Sequence, residues 1–150
     1  MIVAQRTAGD TRQNRNGLLL GSAWMVALVA TLGSLYYSEI RHFLPCELCW
    51  YQRILMYPLA IILGIAVWRS DFKVRIYALP LAAIGAPISL YHYLVEKVPG
   101  FGVTACKPPV PCNVEYVNYF GFITIAFMAL VAFVAIIVAL SLVRNDREGQ

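Results

Sequence analysis

Four stretches of this chain are long enough to cross a lipid bilayer and almost free of charge, which constrains the fold more than any other feature. No Asp, Glu, Lys or Arg falls in Asn16–Ser38, Ile76–Val95 or Tyr116–Val143, and Leu48–Trp68 contains Arg53 alone. A hydrocarbon core about 30 Å thick needs roughly 20 apolar residues in a helix. Lipid offers no partner for backbone N–H and C=O groups, so each span must be helical. The expected spans are about 18–37, 50–68, 76–95 and 120–143, within a single domain covering 1–150. The fold class is therefore all-α, an integral membrane four-helix bundle. With 60% hydrophobic and 13% charged residues, against about 45–50% and 25% in soluble domains, the composition excludes a water-soluble enzyme and a nucleic-acid binder. The first apolar stretch exceeds the 7–15 residues of a signal peptide core and reads as a span. Pro58, Pro80 and Pro87 fall inside spans, where prolines are tolerated and mark kinks. The polar ends, Met1–Asn16 and Arg144–Gln150, are expected to be loose.

Orientation follows from Lys and Arg placement. Arg6, Arg12, Arg15, Arg69, Lys73, Arg75, Arg144 and Arg147 share one side of an even-numbered bundle, and Arg41, Arg53, Lys97 and Lys107 lie on or near the other. Eight against four places both termini in the cytoplasm. All four cysteines then fall outside it: Cys46 and Cys49 at the mouth of the second span, Cys106 and Cys112 in the second outer loop. Disulfides persist outside the cytoplasm and are rare within it, so two independent signals agree. Four cysteines allow three pairings, and proximity favours 46–49 and 106–112.

Two structural staples would explain such pairs poorly. A staple stabilises most when it closes a long loop, and Cys46–Cys49 closes almost nothing. Short Cys-x-x-Cys bridges at a helix start are typical of redox-active sites. Zinc sites usually space paired ligands two to four residues apart, whereas five residues separate Cys106 from Cys112, so no metal is expected.

With Pro45 opening a helix, Cys46, Cys49 and Arg53 fall along one face. The helix N-terminus and the Arg53 charge would both favour a thiolate at Cys49. An ionisable residue inside a span is a functional candidate by default, although Arg53 lies close enough to the boundary to snorkel. His92, about one turn from the outer end of span three, and Gln52 beside the cysteine motif are further candidates for holding a cofactor. Trp50, Tyr51, Tyr57, Tyr91, Tyr93, Tyr116 and Tyr119 resemble an interfacial aromatic belt. The second cysteine pair sits in a proline-stiffened ring, Cys106-Lys-Pro-Pro-Val-Pro-Cys112, within a twenty-residue loop from Glu96 to Glu115. Lys107 would favour a Cys106 thiolate.

These pieces allow a relay. A thiol pair on a soluble partner can reduce the loop disulfide through a mixed disulfide, and the released thiols can attack the membrane-boundary pair. Reduced Cys46 and Cys49 then need an acceptor. The chain carries no iron–sulfur spacing and no dinucleotide motif, so a lipid-soluble quinone suits the site.

Cys46-Glu-Leu-Cys-Trp-Tyr-Gln-Arg53 opening the second of four spans, a cysteine pair in the second outer loop, and Phe122-Ile-Thr-Ile in span four resemble the DsbB family of thiol–quinone oxidoreductases, most of all its short BdbC-like branch. The resemblance covers about residues 18–143. It implies that Cys106 and Cys112 meet an extracytoplasmic thioredoxin-like dithiol oxidase of the DsbA or BdbD kind, and that Cys106 forms the mixed disulfide. It further implies that Cys112 attacks Cys46, that Cys49 meets a ubiquinone or menaquinone, and that Arg53 supports the quinone. The chain would then be a multi-pass cell-membrane protein that sustains disulfide formation. One departure is plain: the loop pair is six residues apart here, against wide spacing in better-known members. Two rival readings exist. Vitamin K epoxide reductase relatives share the bundle but place the membrane Cys-x-x-Cys after the loop pair. A disulfide-stapled membrane subunit would be no enzyme.

Overall fold

The computed structural model describes residues 2–98, 100–101, 106, 112, 118 and 120–143, with the side chains of residues 2–8 excepted. Four helices follow in order: α1 (Ile2–Leu35), α2 (Glu47–Arg69), α3 (Arg75–Lys97) and α4 (Ile125–Leu142). A π-helical turn, Tyr36–Ile40, extends α1, and a 3-10 turn, Phe72–Val74, precedes α3. All four helices are long and apolar enough to span a membrane, and they make this an all-α four-helix bundle. There is no strand of more than an isolated bridge residue among the described residues.

Capping residues set the boundaries. Cys46, in extended conformation, caps α2, its sulfur accepting the Cys49 N–H. Ser70 adopts a left-handed conformation (φ 52°) that closes α2, its N–H donating to the Ala66 and Val67 carbonyls. Asp71 then accepts the Lys73 N–H and starts the next turn. This link is so short that α2 and α3 must run antiparallel. Thr124 caps α4 through the Phe127 N–H.

Three expectations change at the ends. Met1–Asn16 was expected to be loose, but α1 is helical from Ile2. The segment contains no proline, and helix propagates cheaply from an anchored apolar span. At about 1.5 Å per residue its 34 residues reach roughly 50 Å, well beyond a bilayer core. The fourth helix starts at Ile125 rather than near 120, because Phe120 and Gly121 take positive φ (56° and 82°) and Thr124 caps only afterwards. The expected loop from Glu96 begins instead after Lys97, so Glu96 is helical. Arg144–Gln150 lies outside the described residues, and α2 and α3 continue unbroken through Pro58, Pro80 and Pro87.

Each helix packs on two neighbours. α1 meets α2 and α4, α3 meets the same two, and α2 barely touches α4 across the centre. Small residues let the backbones approach: Ala23, Ala27, Ala78 and Ala82 are fully buried, as expected where lipid gives helices no hydrophobic reason to associate. Gly85 on α3 lies under the ring of Phe133 on α4, where a Cβ would collide with it. Apolar side chains also cover the outside, such as Leu18 (75% exposed), Ile61 and Trp68, which suits contact with lipid. Arg75 binds the Val143 carbonyl at one end of the bundle, and Lys97 the Gly121 carbonyl at the other. The α1–α2 link and the start of the α3–α4 link share this second end.

Candidate redox site

Cysteines from the α1–α2 link and the α3–α4 link meet at that end. Cys46 is buried and Cys49 half-buried, with their sulfurs 3.0 Å apart. Cys106 and Cys112 form a disulfide with Cα atoms 5.6 Å apart. Its two halves differ in access: Cys112 is 4% exposed, while Cys106 is half-buried. Cys46, Cys112 and Val95 belong to one small buried cluster. The sulfurs of Cys46 and Cys112 and a ring nitrogen of His92 all lie within 4.8 Å of one another. The loop pair is thus not wholly aqueous, because Cys112 faces inward onto Cys46. The short seven-residue ring does not prevent this approach.

His92 stands behind Cys46. Its Nε2 is 3.6 Å from the Cys46 sulfur and 3.6 Å from Glu96 Oε1, and its Nδ1 is 3.0 Å from Gln52 Nε2. Ring, amide and carboxylate are all buried. Cys46 lies just outside the second span, and its thiol is lowered from an ordinary 9.0 to about 4. The Cys49 side-chain hydrogen bond is the main cause; desolvation opposes it, and the His92 hydrogen bond and charge assist. The sequence placed the favoured thiolate on Cys49. The structure gathers the donors on Cys46 instead, because Cys46 is the cap at which the Cys49 N–H points.

Cys49 faces a different space. A cavity of about 550 Å³ lies between α1, α2 and α4, within the roughly 300–1,000 Å³ range of small-molecule sites. Its walls are mainly apolar, including Met25, Val29, Met128 and Ala132, and Cys49, Gln52 and Arg53 line it from α2. Arg53 does not extend toward lipid headgroups alone. Its guanidinium donates to Ser38 Oγ (3.3 Å) and the Ser34 carbonyl (3.2 Å), with Trp50 stacked 5.8 Å away. Those partners belong to the end of α1 and its π-turn.

Of the sequence candidates, Cys49, Gln52 and Arg53 share the cavity, and His92 does not line it. Gln52 joins the two, touching the cavity on one side and His92 on the other. Lys107 lies outside the described residues, as do Tyr116 and Tyr119. Tyr57, assigned to the belt, lines the cavity instead, with its hydroxyl 3.5 Å from Ser34 Oγ. Glu96 was missed. Its position four residues after His92, on the same helical face, was the available signal.

Residues 14–143 match the family model for disulfide bond formation protein DsbB. The chain belongs to the DsbB family. It is 58% identical over 132 residues to the disulfide bond formation protein C of Bacillus subtilis, covering 87% of this chain and 96% of that one. It is 51% identical to a probable disulfide formation protein C 1 of Bacillus anthracis, over 91% of this chain and 99% of the other. A probable disulfide formation protein of Coxiella burnetii is 49% identical over 73% of this chain and 76% of its own. No solved structure matches. Family membership makes this a membrane disulfide-forming oxidoreductase and sets aside the stapled subunit and the vitamin K epoxide reductase reading.

Proposed function

We propose that the protein takes electrons from an extracytoplasmic thioredoxin-like dithiol oxidase and delivers them to a membrane quinone, a ubiquinone or menaquinone, keeping that oxidase active. One observation carries this reading: Cys46 and Cys49 are adjacent but divide their surroundings, with Cys112 and His92 around Cys46 and the Arg53 cavity beside Cys49.

The steps balance as follows, from a state with both pairs oxidised. A partner thiolate attacks Cys106, the more accessible sulfur of the loop bridge, and Cys112 leaves as a thiolate. Cys112 attacks Cys46, and Cys49 leaves as a thiolate at the cavity wall. The second partner thiol then resolves the mixed disulfide, so the partner departs oxidised and Cys106 is freed. A bound quinone supplies an acceptor for two electrons and two protons. As Cys49 gives up its electron pair, Cys46 and Cys49 rejoin, Cys112 is released from Cys46, and Cys106 and Cys112 close again. The net exchange is one dithiol oxidised per quinone reduced. His92 holds a proton beside Cys46, and Gln52 fixes its ring. Arg53, tied to α1, sets a positive charge where negative charge develops.

The cavity fits such a ligand: apolar walls for a ring and isoprenoid tail, with Gln52 and Arg53 of α2 and Ser34 and Ser38 of α1 and its π-turn as polar groups. Filling it tests the assignment without touching a polar residue. Ala129→Trp on α4 and Val29→Trp on α1 each project into the space. Each is expected to raise the KM for a soluble short-chain quinone at least tenfold, with partner thiols still reducing the loop bridge. A parent-like quinone KM in both would place the acceptor elsewhere.

A further inference from the structure

Three donor atoms that the sequence scatters over 66 positions converge in the folded chain: the Cys46 sulfur from the cap of α2, the His92 Nε2 from α3, and the Cys112 sulfur from the second outer link. All lie within 4.8 Å of one another, and their residues are 5%, 2% and 4% exposed. The geometry points to a binding site for one soft divalent cation, Zn²⁺ by its donor set, that exists only when both cysteine pairs are reduced. Two thiolates and an imidazole suit zinc over harder ions.

A tetrahedral zinc with Zn–S about 2.3 Å separates two sulfur ligands by roughly 3.8 Å. The donor triangle is already near that size, and the Cys46–His92 edge is 3.6 Å. A fourth ligand is at hand in either of two groups. Cys49 Sγ lies 3.0 Å from Cys46 Sγ, and Glu96 Oε1 lies 3.6 Å from the same His92 nitrogen. Metal-ligating histidines usually donate their other ring N–H to an oxygen that fixes the ring. Gln52 stands at Nδ1 with its amide nitrogen 3.0 Å away, and a half-turn of that amide about its last side-chain bond would present its oxygen to a ring N–H when Nε2 holds the metal. Spacing along the chain hid the site, because no two of the three donors are sequence neighbours.

Cys112 is bonded to Cys106 in this structure, so the site is closed until a dithiol reduces that bridge with two electrons and two protons. Zn²⁺ then displaces the Cys112 thiol proton to solvent, Cys46 being already a thiolate, and undergoes no redox change. Sulfur held by the metal is no longer a free nucleophile, so the ion arrests the relay in its fully reduced state until a chelator removes it. The inference rests on the sulfur and imidazole juxtaposition alone and survives any identity of the acceptor.

The test uses full-length protein in detergent micelles, reduced with excess dithiol and freed of it without air. Zn²⁺ alone is titrated against a chromophoric chelator, and Co²⁺ alone serves as the spectroscopic probe. Reduced protein should bind one equivalent, with thiolate-to-cobalt charge transfer and tetrahedral d–d bands, and oxidised protein none. Cys112→Ser and His92→Ala should each weaken binding by more than the ~10–100-fold typical of losing an outer-shell partner. Cys106→Ser, which frees Cys112 from its ring, should bind as the parent does once reduced. Absence of uptake by reduced protein would overturn the site. So would parental affinity in Cys112→Ser, which would put the ion on Cys46 and Cys49 alone; that variant decides the matter if His92→Ala does not fold.

Discussion

Cys46 and Cys49 share one helical turn yet meet different chemistry, and the cap explains why. As the residue before the first helical position, Cys46 receives the Cys49 N–H and thiol, with His92 behind. Its thiol is lowered to about 4, so the thiolate persists above that pH and is lost as pH falls through it. Ultraviolet absorbance of the reduced protein should therefore show one thiolate across neutral pH that disappears as pH falls through about 4. Absence of any thiolate at neutral pH would contradict the assignment. Arg53 is the second residue of interest. Arg53→Lys keeps the charge but loses the planar fork that reaches both Ser34 and Ser38. Because the fork sets the position, both Arg53→Lys and Arg53→Ala should lower kcat/KM for quinone, Ala by roughly 10–100-fold, the equivalent of about 1.5–3 kcal/mol for a charged hydrogen bond. The loss should lie mainly in KM. Parent-like steady-state constants in Arg53→Ala would remove it from the site. The register of Cys46, Cys49 and Arg53 was legible in the sequence. The place of His92 was not, because its contacts come from α2, some 40 positions away.

At the scale of the helices, apolar runs announced all four spans, but their ends were set by caps that hydropathy does not register. The Thr124 cap shortens α4, Ser70 closes α2, and the absence of a breaker lets α3 carry Glu96 to His92. Packing between helices was less visible still. Nothing in the sequence pairs Gly85 with Phe133, yet the α3–α4 contact depends on that pairing. Gly85→Ala should destabilise the bundle by about 1–3 kcal/mol, the usual penalty for overpacking. Thermal unfolding in detergent would show it as a lower Tm, with recovery in Gly85→Ala combined with Phe133→Leu. An unchanged Tm in the single variant would mean that the ring moves aside freely.

For the whole molecule, the bundle brings two distant links to one end, which is what a relay needs. The excess of Lys and Arg at the opposite end, in Arg12, Arg15, Arg69, Lys73 and Arg75, predicts that the cysteines face away from the cytoplasm. A membrane-impermeant thiol reagent should label Cys106 in reduced, intact cells; labelling only after lysis would reverse the orientation. The central claim is the order of transfer: partner, loop pair, membrane pair, quinone. It is tested most directly by following partner oxidation with excess dithiol partner and excess quinone, comparing the parent with Cys49→Ser. The parent should oxidise partner through many turnovers, consuming one quinone per dithiol. Cys49→Ser should oxidise a single equivalent, through the Cys106–Cys112 bridge, and then stop. Sustained quinone-dependent turnover by Cys49→Ser would contradict the relay.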